Sequence, residues 1–226
     1  MKNPLLATVI GTIAGATLSS AAIVELSSGV TSVDLDFAAL ENAAGLVLQG
    51  TDNTVPAATG FAVGFPVNPR NAAEVPTNFT FDSPNFSPFA GTIEHTGTVS
   101  FGLGQGGVIL GNFTIGFDAS RVVGEASGFF VASTTGGLVS GLDAIIFDIS
   151  GPVPAASASG LTLTGTEATG GAGLLVSPEL AGVLGDENLA GALVGSARLD
   201  AAAIPEPAAI LLSLLAVPAL IGRRRS

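Results

Sequence analysis

The sequence predicts an all-β protein, an antiparallel β-sandwich or barrel-like single domain with one short helix. Short runs rich in valine, isoleucine, phenylalanine and threonine alternate with clusters of glycine, proline, asparagine and aspartate, which is typical of strands separated by turns. The 31 glycines and 13 prolines supply many such turns. Apolar and polar residues alternate along 98–101 and 112–117, so each segment predicts a strand with one buried face.

The clearest predicted strand is 91–101, in which Ile93, Val99 and Phe101 share one face. In 113–117 the odd-numbered apolar residues are predicted to face inward in the same way. The full set of predicted strands is 31–37, 45–49, 59–65, 78–81, 91–101, 107–117, 127–133, 143–148, 160–166, 174–176 and 193–199.

One helix is predicted near 178–184. Ser177 is a suitable N-cap, Pro178 fits the first helical position, Glu179 places an acid in the first turn, and Gly185 can end the helix. The segment 155–204 has few large apolar residues, so it is predicted to add edge strands to the same sheet rather than to fold alone.

The N-terminal residues 1–22 have the pattern of a secretory signal peptide. Lys2 supplies a positive charge, an apolar stretch covers 5–18, and small residues follow at 20–22. This pattern predicts a signal helix that signal peptidase removes by cutting after Ala22. The alternative is a membrane helix that stays attached, which the short apolar stretch and the small residues disfavour.

The C-terminal residues 205–226 form a tail with three parts: a proline–acid–proline elbow, an uncharged apolar helix over 208–221, and a basic end. The apolar run is shorter than the roughly 20 residues of a full bilayer crossing. Its basic end favours the cytoplasmic side, so the preceding chain would lie outside the inner membrane. The predicted sorting residues are Pro205, Glu206, Pro207, Arg223, Arg224 and Arg225.

This tail resembles the PEP-CTERM sorting signal of exported bacterial proteins. The resemblance implies processing by a membrane-embedded exosortase-type enzyme and transient anchoring in the inner membrane, followed by release to the outer surface or extracellular matrix. The alternative is an ordinary C-terminal membrane anchor in which the proline–acid–proline triplet occurs by chance. The runs 113–121, 127–131, 175–180 and 195–201 are similar to exported bacterial proteins that share such a tail, and that similarity implies no activity.

The charge of the predicted mature domain, residues 23–204, excludes several partners. Lys2 and the three tail arginines account for four of the seven basic residues, and Glu206 for one of the 18 acidic residues. The mature domain therefore has three basic and 17 acidic residues, a net charge of −14. So few cations cannot form the basic surface that nucleic acid or an anionic lipid surface requires. The absence of cysteine excludes disulfides and thiolate metal sites.

The sequence offers no recognisable catalytic constellation, cofactor motif or metal site. The single histidine, His95, follows Glu94 and is predicted to be exposed on a strand. Asp143 and Asp148 are predicted to lie on opposite faces of one strand, so they do not form an evident carboxylate pair. The Gly-x-Gly-x-x-Gly match at 102–107 lacks a following helix and predicts a hairpin loop.

Calcium is an alternative at the oxygen-bearing turns, which are interpreted as solvated. No EF-hand spacing accompanies them. The residues concerned are Asp34, Asp36, Asp118, Asp186, Glu187 and Asn188.

These observations favour a non-enzymatic protein of the cell envelope or extracellular matrix, associated with exopolysaccharide or biofilm. A carbohydrate-binding or other small-ligand-binding module is the first alternative, although the chain has no Trp or Tyr to stack on a sugar. A hydrolase is the second alternative. Convergence of Glu94, His95, Asp143 and Asp148 in one pocket would favour it, and their dispersal on the surface would disfavour it.

Overall fold

The computed structural model describes residues 22–83, 85–104 and 106–205. Within these ranges the chain is mostly antiparallel β structure, as the sequence predicts, with two α-helices and two short 3₁₀-helices. The predicted signal helix and the apolar tail helix lie outside the described residues. The division into signal, mature domain and tail stays a prediction.

The elements are named in chain order. The strands are β1 (Ala22–Leu35), β2 (Leu46–Asp52), β3 (Val63–Val67), β4 (Thr80–Ser83), β5 (Phe86–Ala90), β6 (Ile93–Glu94), β7 (Thr98–Leu103), β8 (Gly106–Gly111), β9 (Thr114–Phe117), β10 (Ala126–Thr134), β11 (Asp143–Ser150), β12 (Val153–Ser157), β13 (Gly160–Thr164), β14 (Ala172–Val176) and β15 (Leu193–Pro205). The α-helices are α1 (Phe37–Ala44) and α2 (Pro178–Leu184), and the 3₁₀-helices are Ala119–Arg121 and Glu187–Leu189.

The larger sheet has twelve strands and is built around β1 and β15. Its main order is β5-β4-β1-β15-β14-β11-β10-β9-β6, with β3 also paired to β1, and β12 paired to β13, which pairs to β15. The prediction that 155–204 supplies edge strands is wrong for β14 and β15. Because β15 has 13 residues, it can pair with β1 along one side and with both β13 and β14 along the other.

β1 begins well before the predicted start at residue 31. Its first half contains Ser27, Ser28 and Gly29, which have weak strand preferences. Backbone pairing to β4 and β15 on its two sides nevertheless includes residues 22–30 in the sheet. Tertiary pairing therefore overrides local propensity at this end of the chain.

The smaller sheet consists of β2, β7 and β8, and it corrects the predicted strand 91–101. That segment divides into β6, which pairs with β9 in the larger sheet, and β7, which pairs with β2 and β8. The chain turns at Gly97, whose φ of +115° suits glycine, and a Cβ there would lie 2.8 Å from the Asn53 carbonyl oxygen. The predicted strand 107–117 likewise divides at Asn112, where φ is +44°.

The predicted inward face of 113–117 is only partly correct. Ile115 is buried and Phe113 is half-buried, but Phe117 is 42% exposed. Phe117 instead packs edge-on against Phe89 and Phe129, with ring centroids 5.1 Å apart in each pair. It therefore closes one border of an aromatic cluster.

The two α-helices have the same kind of ends, although only α2 was predicted. In α2, Ser177 Oγ accepts a hydrogen bond from Leu180 N, Pro178 occupies the first turn, and Gly185 ends the helix with φ +78°. In α1, the Asp36 carboxylate accepts from Ala39 N at 2.8 Å, and Gly45 adopts φ +65°.

The larger sheet curls into a half-barrel. Near one end, β3 and the segment after β6 come together through a bridge between Val67 and His95. Hydrogen bonds from Asn68 N to Glu94 O and from Thr96 N to Pro66 O flank this bridge. The core lies inside the curl, where side chains of both sheets meet.

The two ends of the described chain lie side by side. The register of β1 and β15 runs from Leu35 opposite Gly195 to Val24 opposite Pro205. Across the part of the chain that the structure describes, no helix combines the length and apolar character needed to span a membrane.

Candidate functional site

A cavity of about 140 Å³ lies inside the curl, between the larger and the smaller sheet. Its walls are almost entirely apolar. Val33 of β1, Phe65 of β3 and Ile146 of β11 line it from the larger sheet, and Phe101 of β7 and Leu110 of β8 from the smaller one. The alternation of these strands places every second side chain toward this space.

Two polar side chains of the cavity wall form a buried hydrogen-bonded pair. Thr31 Oγ1 lies 2.7 Å from His95 Nε2, and His95 Nδ1 lies 3.0 Å from the backbone oxygen of Phe113. His95 is only 2% exposed, and Thr31 only 7%. Both residues lie beside apolar wall residues, so this pair is the main polar feature of the cavity interior.

The hydrogen-bond partners define the protonation state of His95. A carbonyl oxygen can only accept a hydrogen bond, so Nδ1 carries the ring proton and donates a hydrogen bond to the Phe113 oxygen. Nε2 is then the acceptor for the Thr31 hydroxyl. Burial disfavours the charged ring and lowers the pKa of His95 to about 4, although its backbone hydrogen bonds act in the opposite direction. At neutral pH the imidazole is uncharged.

The predicted exposure of His95 and of the neighbouring polar position is therefore wrong. Glu94 is 6% exposed, and its Oε2 accepts a hydrogen bond of 2.6 Å from Thr114 Oγ1. Its backbone is bonded to Thr77 Oγ1 through both N and O. Alternation along 91–101 places only Glu94 outward, and the break at Gly97 separates Glu94 from the polar face of β7. His95 has the parity of Ile93, so its burial agrees with alternation, and only its polar character suggested exposure.

A second polar centre, the Arg121 network, lies at the surface. The Arg121 guanidinium donates from Nε and Nη2 to Asp148 at 2.6 and 3.0 Å, and from Nη1 and Nη2 to Glu179 at 2.7 and 3.0 Å. It also lies 5.9 Å from the ring centre of Phe130. Hydrogen bonds to Glu179 and Asp148 raise the pKa of Arg121, and the bond from Arg121 lowers the pKa of Glu179.

The Arg121 network is a cross-link between elements. Arg121 ends the first 3₁₀-helix, Asp148 lies in β11 and Glu179 in the first turn of α2. Both carboxylates accept hydrogen bonds from the same guanidinium. The arrangement therefore explains how these three elements are fixed, and it supplies no acid–base pair.

The four residues named as a test of the hydrolase hypothesis do not converge. His95 binds Thr31, Glu94 binds Thr114, and Asp148 binds Arg121. Asp143 is exposed, and its carboxylate accepts a hydrogen bond from Gly136 N. Each side chain thus has separate partners. The four side chains therefore do not meet in one pocket, but only Asp143 lies on the surface, and Glu94, His95 and Asp148 are buried.

The acidic turns serve as local caps. Asp118 accepts from the side chain and backbone of Ser120, which lowers the pKa of Asp118, and Asp186 accepts from the backbone and side chain of Asn188. Within 22–83, 85–104 and 106–205, no group of three or more His, Cys, Asp or Glu side chains could hold a metal ion. The glycine motif at 102–107 lies in the antiparallel hairpin of β7 and β8, which confirms the hairpin prediction.

The predicted processing residues lie at the borders of the described chain. Ala22 is the first residue of β1 and pairs with Ser83, and Pro205 is the last residue of β15 and pairs with Val24. The other predicted sorting residues lie outside the described ranges, namely Glu206, Pro207, Arg223, Arg224 and Arg225.

Sequence reasoning missed the Thr31–His95 pair and the cavity beside it. The two residues are 64 positions apart, and no local pattern links them. Comparison with known proteins finds no family model that matches the chain, and no curated protein that matches its sequence.

Proposed function

We propose that this chain is an exported, non-enzymatic protein of the cell envelope or extracellular matrix, sorted by an exosortase-type system. The observation that carries the proposal is the pairing of Val24 with Pro205. The predicted signal-peptidase cut after Ala22 and the predicted elbow at Pro205 thus lie at the same end of two paired strands. Both sorting segments would leave the folded domain at one place.

This geometry suits processing at both ends. A cut after Ala22 leaves Ile23 as the first residue, and Ile23 still pairs with Asp82 of β4. A cut beyond Pro205 leaves the register of β1 and β15 complete. The core side chains of the described residues all lie between Val24 and Ala203, so both cuts fall outside them and the domain would keep its fold while it changes from a membrane-attached to a released form.

The surface charge supports the absence of nucleic acid among the partners. All three arginines of the described chain are already in ion pairs, namely Arg70 with Glu25, Arg121 with Asp148 and Glu179, and Arg198 with Asp200. The surplus of acids favours solubility and repels polyanions. An exopolysaccharide partner would have to be neutral or held through cations.

The test is the intact mass of the protein recovered from the producing cells, measured separately in inner membrane, outer membrane, matrix and medium. The proposal predicts a species that begins at Ile23 and ends near residues 205–207, in matrix or medium. A species that retains Arg223–Arg225 in the inner membrane as the end state would contradict sorting and indicate an ordinary anchor.

A matched pair of variants sharpens the test. Glu206→Gln changes the predicted elbow, and Glu187→Gln makes the same change at an exposed acid of the second 3₁₀-helix. The proposal predicts that Glu206→Gln accumulates uncut protein in the membrane fraction and that Glu187→Gln is processed normally. Equal processing of both variants would contradict a role of the elbow in recognition.

A further inference from the structure

We propose that the cavity between the two sheets is a binding site for a compact, uncharged ligand of the phenol class, an apolar ring with one hydroxyl group. This proposal goes beyond export and does not depend on it. It rests on the volume of the cavity, its mouth and the chemistry of its wall.

The volume suits a single small ring. A cavity of about 140 Å³ is close to the roughly 150 Å³ of an engineered apolar cavity that binds benzene. Protein cores pack at high density, and voids larger than a water molecule are few. A void of this size therefore weakens the core unless a ligand occupies it, and an apolar ring would restore the missing contacts.

The cavity has a border that reaches the surface. Leu48 and Thr51 of β2 line it and are exposed, and Ala62, just before β3, is exposed on the facing side. Phe37, at the start of α1, lines the cavity and is half-buried. A ligand could therefore enter between β2 and the segment that precedes β3, without separation of the strands of the larger sheet.

The wall selects for an uncharged ligand with one hydroxyl. The lining includes no Asp, Glu, Lys or Arg, and His95 is neutral at pH 7 because burial lowers its pKa to about 4. A charged ligand would lose its hydration without gaining an ion pair. Thr31 Oγ1 donates a hydrogen bond to His95 Nε2, and the lone pairs of Oγ1 can still accept a hydrogen bond from a ligand hydroxyl.

The first experiment measures the thermal unfolding midpoint of the purified protein against increasing benzene, phenol, benzoate and glucose. The proposal predicts saturable increases with benzene and phenol, and none with benzoate or glucose, since a ligand that binds only the folded state stabilises it by mass action. An absence of any increase with both benzene and phenol would overturn the proposal and identify the cavity as a packing void.

Two valine-to-leucine variants separate the cavity from the rest of the core. Val33 lines the cavity, whereas Val108 packs against the core without lining it, and both are half-buried. Val33→Leu should reduce the affinity for benzene and phenol at least tenfold, while Val108→Leu should leave both within about twofold. Equal losses in the two variants would place the binding elsewhere and contradict the site.

Thr31→Val tests the hydroxyl contact. Valine has nearly the shape of threonine but cannot accept a hydrogen bond, so the affinity for phenol should fall roughly fivefold. The affinity for benzene should stay within about twofold of the unchanged protein. Equal loss for the two ligands, or no loss for phenol, would contradict the role of Thr31.

Amide chemical shifts in the unchanged protein provide an independent readout. Ligand-induced changes should cluster on β1, β2 and β7 and leave α2 unmoved.

Discussion

The Thr31–His95 pair and the Arg121 network handle polar groups in opposite ways. In the cavity wall, burial keeps His95 neutral, and one hydroxyl and one carbonyl satisfy both ring nitrogens. At the Arg121 network, the guanidinium stays charged although its side chain is only 14% exposed, because it binds two carboxylates at once and these hydrogen bonds raise the pKa of Arg121.

The difference shows how burial and partner number together determine charge. An isolated ionisable group in an apolar wall loses its charge, since its hydration is not replaced. A guanidinium with several charge-assisted hydrogen bonds keeps its charge even when most of its surface is covered. The two regions should therefore respond differently to substitution, to pH and to salt.

The largest effect is expected from Arg121→Met. It leaves Asp148 as a largely buried carboxylate without its cation, and breaking such a pair costs about 3 to 5 kcal/mol. Urea unfolding should show this loss in the free energy of unfolding. The double variant Arg121→Met/Asp148→Leu should be more stable than Arg121→Met alone, because no buried charge is left unpaired. A loss below about 1 kcal/mol in the single variant would show that the network is only a surface contact.

A pH-dependent loss of stability is expected from His95. Above pH 6.5 the ring is neutral in both the folded and the unfolded chain, and between pH 6.5 and about 4 only the unfolded chain takes up the proton. The free energy of unfolding should therefore decrease as pH falls through this window, by about 3 kcal/mol in total.

The pH range of this decrease in unfolding free energy distinguishes His95 from the acidic residues. The lowered pKa values of Asp118 and Glu179 start from 3.8 and 4.5, so the contribution of these acids begins only near the lower end of the window and leaves its upper part, between pH 6.5 and 5, to His95. His95→Asn keeps a side-chain amide that can donate to Phe113, and it should flatten the slope between pH 6.5 and 5. An unchanged slope in this variant would assign the effect to another group.

A moderate effect is expected from Thr31→Val. It removes the donor to His95 Nε2 and leaves a buried acceptor unsatisfied, which costs about 1 to 2 kcal/mol. Thr164→Val is the control, since the Thr164 hydroxyl makes an exposed 3.3 Å bond to the Val153 oxygen. Equal losses of unfolding free energy in the two variants would show that burial does not strengthen the Thr31–His95 pair.

The smallest effect is expected from Arg198→Met. Arg198 binds Asp200 through two hydrogen bonds, but the two side chains are 38% and 40% exposed. Exposed ion pairs contribute less than about 1 kcal/mol, and salt screens them. The difference in unfolding free energy between Arg198→Met and the unchanged protein should shrink further in high salt. A loss as large as that of Arg121→Met would remove the distinction between the two kinds of ion pair.

Local signals predicted α2 and the β7–β8 hairpin well. Ser177, Pro178 and Gly185 act through hydrogen bonds and backbone angles within a few residues, so their effect can be recognised without the rest of the fold. The same kind of signal exists at α1, where Asp36 and Gly45 cap the ends. It was missed because residues 31–37 continue an apolar strand pattern into the first residue of the helix.

Pairing between distant segments could not be predicted in this way. The neighbours of β15 are β1, β13 and β14, which span most of the chain, and β1 gains its first nine residues from pairing rather than from propensity. The break at Gly97 sends β6 and β7 to different sheets. Glu94, which alternation places on the polar face with Thr98 and Ser100, is then buried, whereas His95 has the parity of Ile93 and lines the core as alternation alone would place it.

The sequence alone determined the antiparallel β class, the caps of α2 and the acidic, cysteine-free composition, because each depends on residue type or on neighbours along the chain. It also predicted the two sorting segments that flank the domain. The tertiary structure decided which strands share a sheet, that Val24 and Pro205 meet, and that Thr31 and His95 share a cavity wall. These contacts join residues separated by 64 to 181 positions. Their energies come from packing and pairing, which exist only once the sheet has curled.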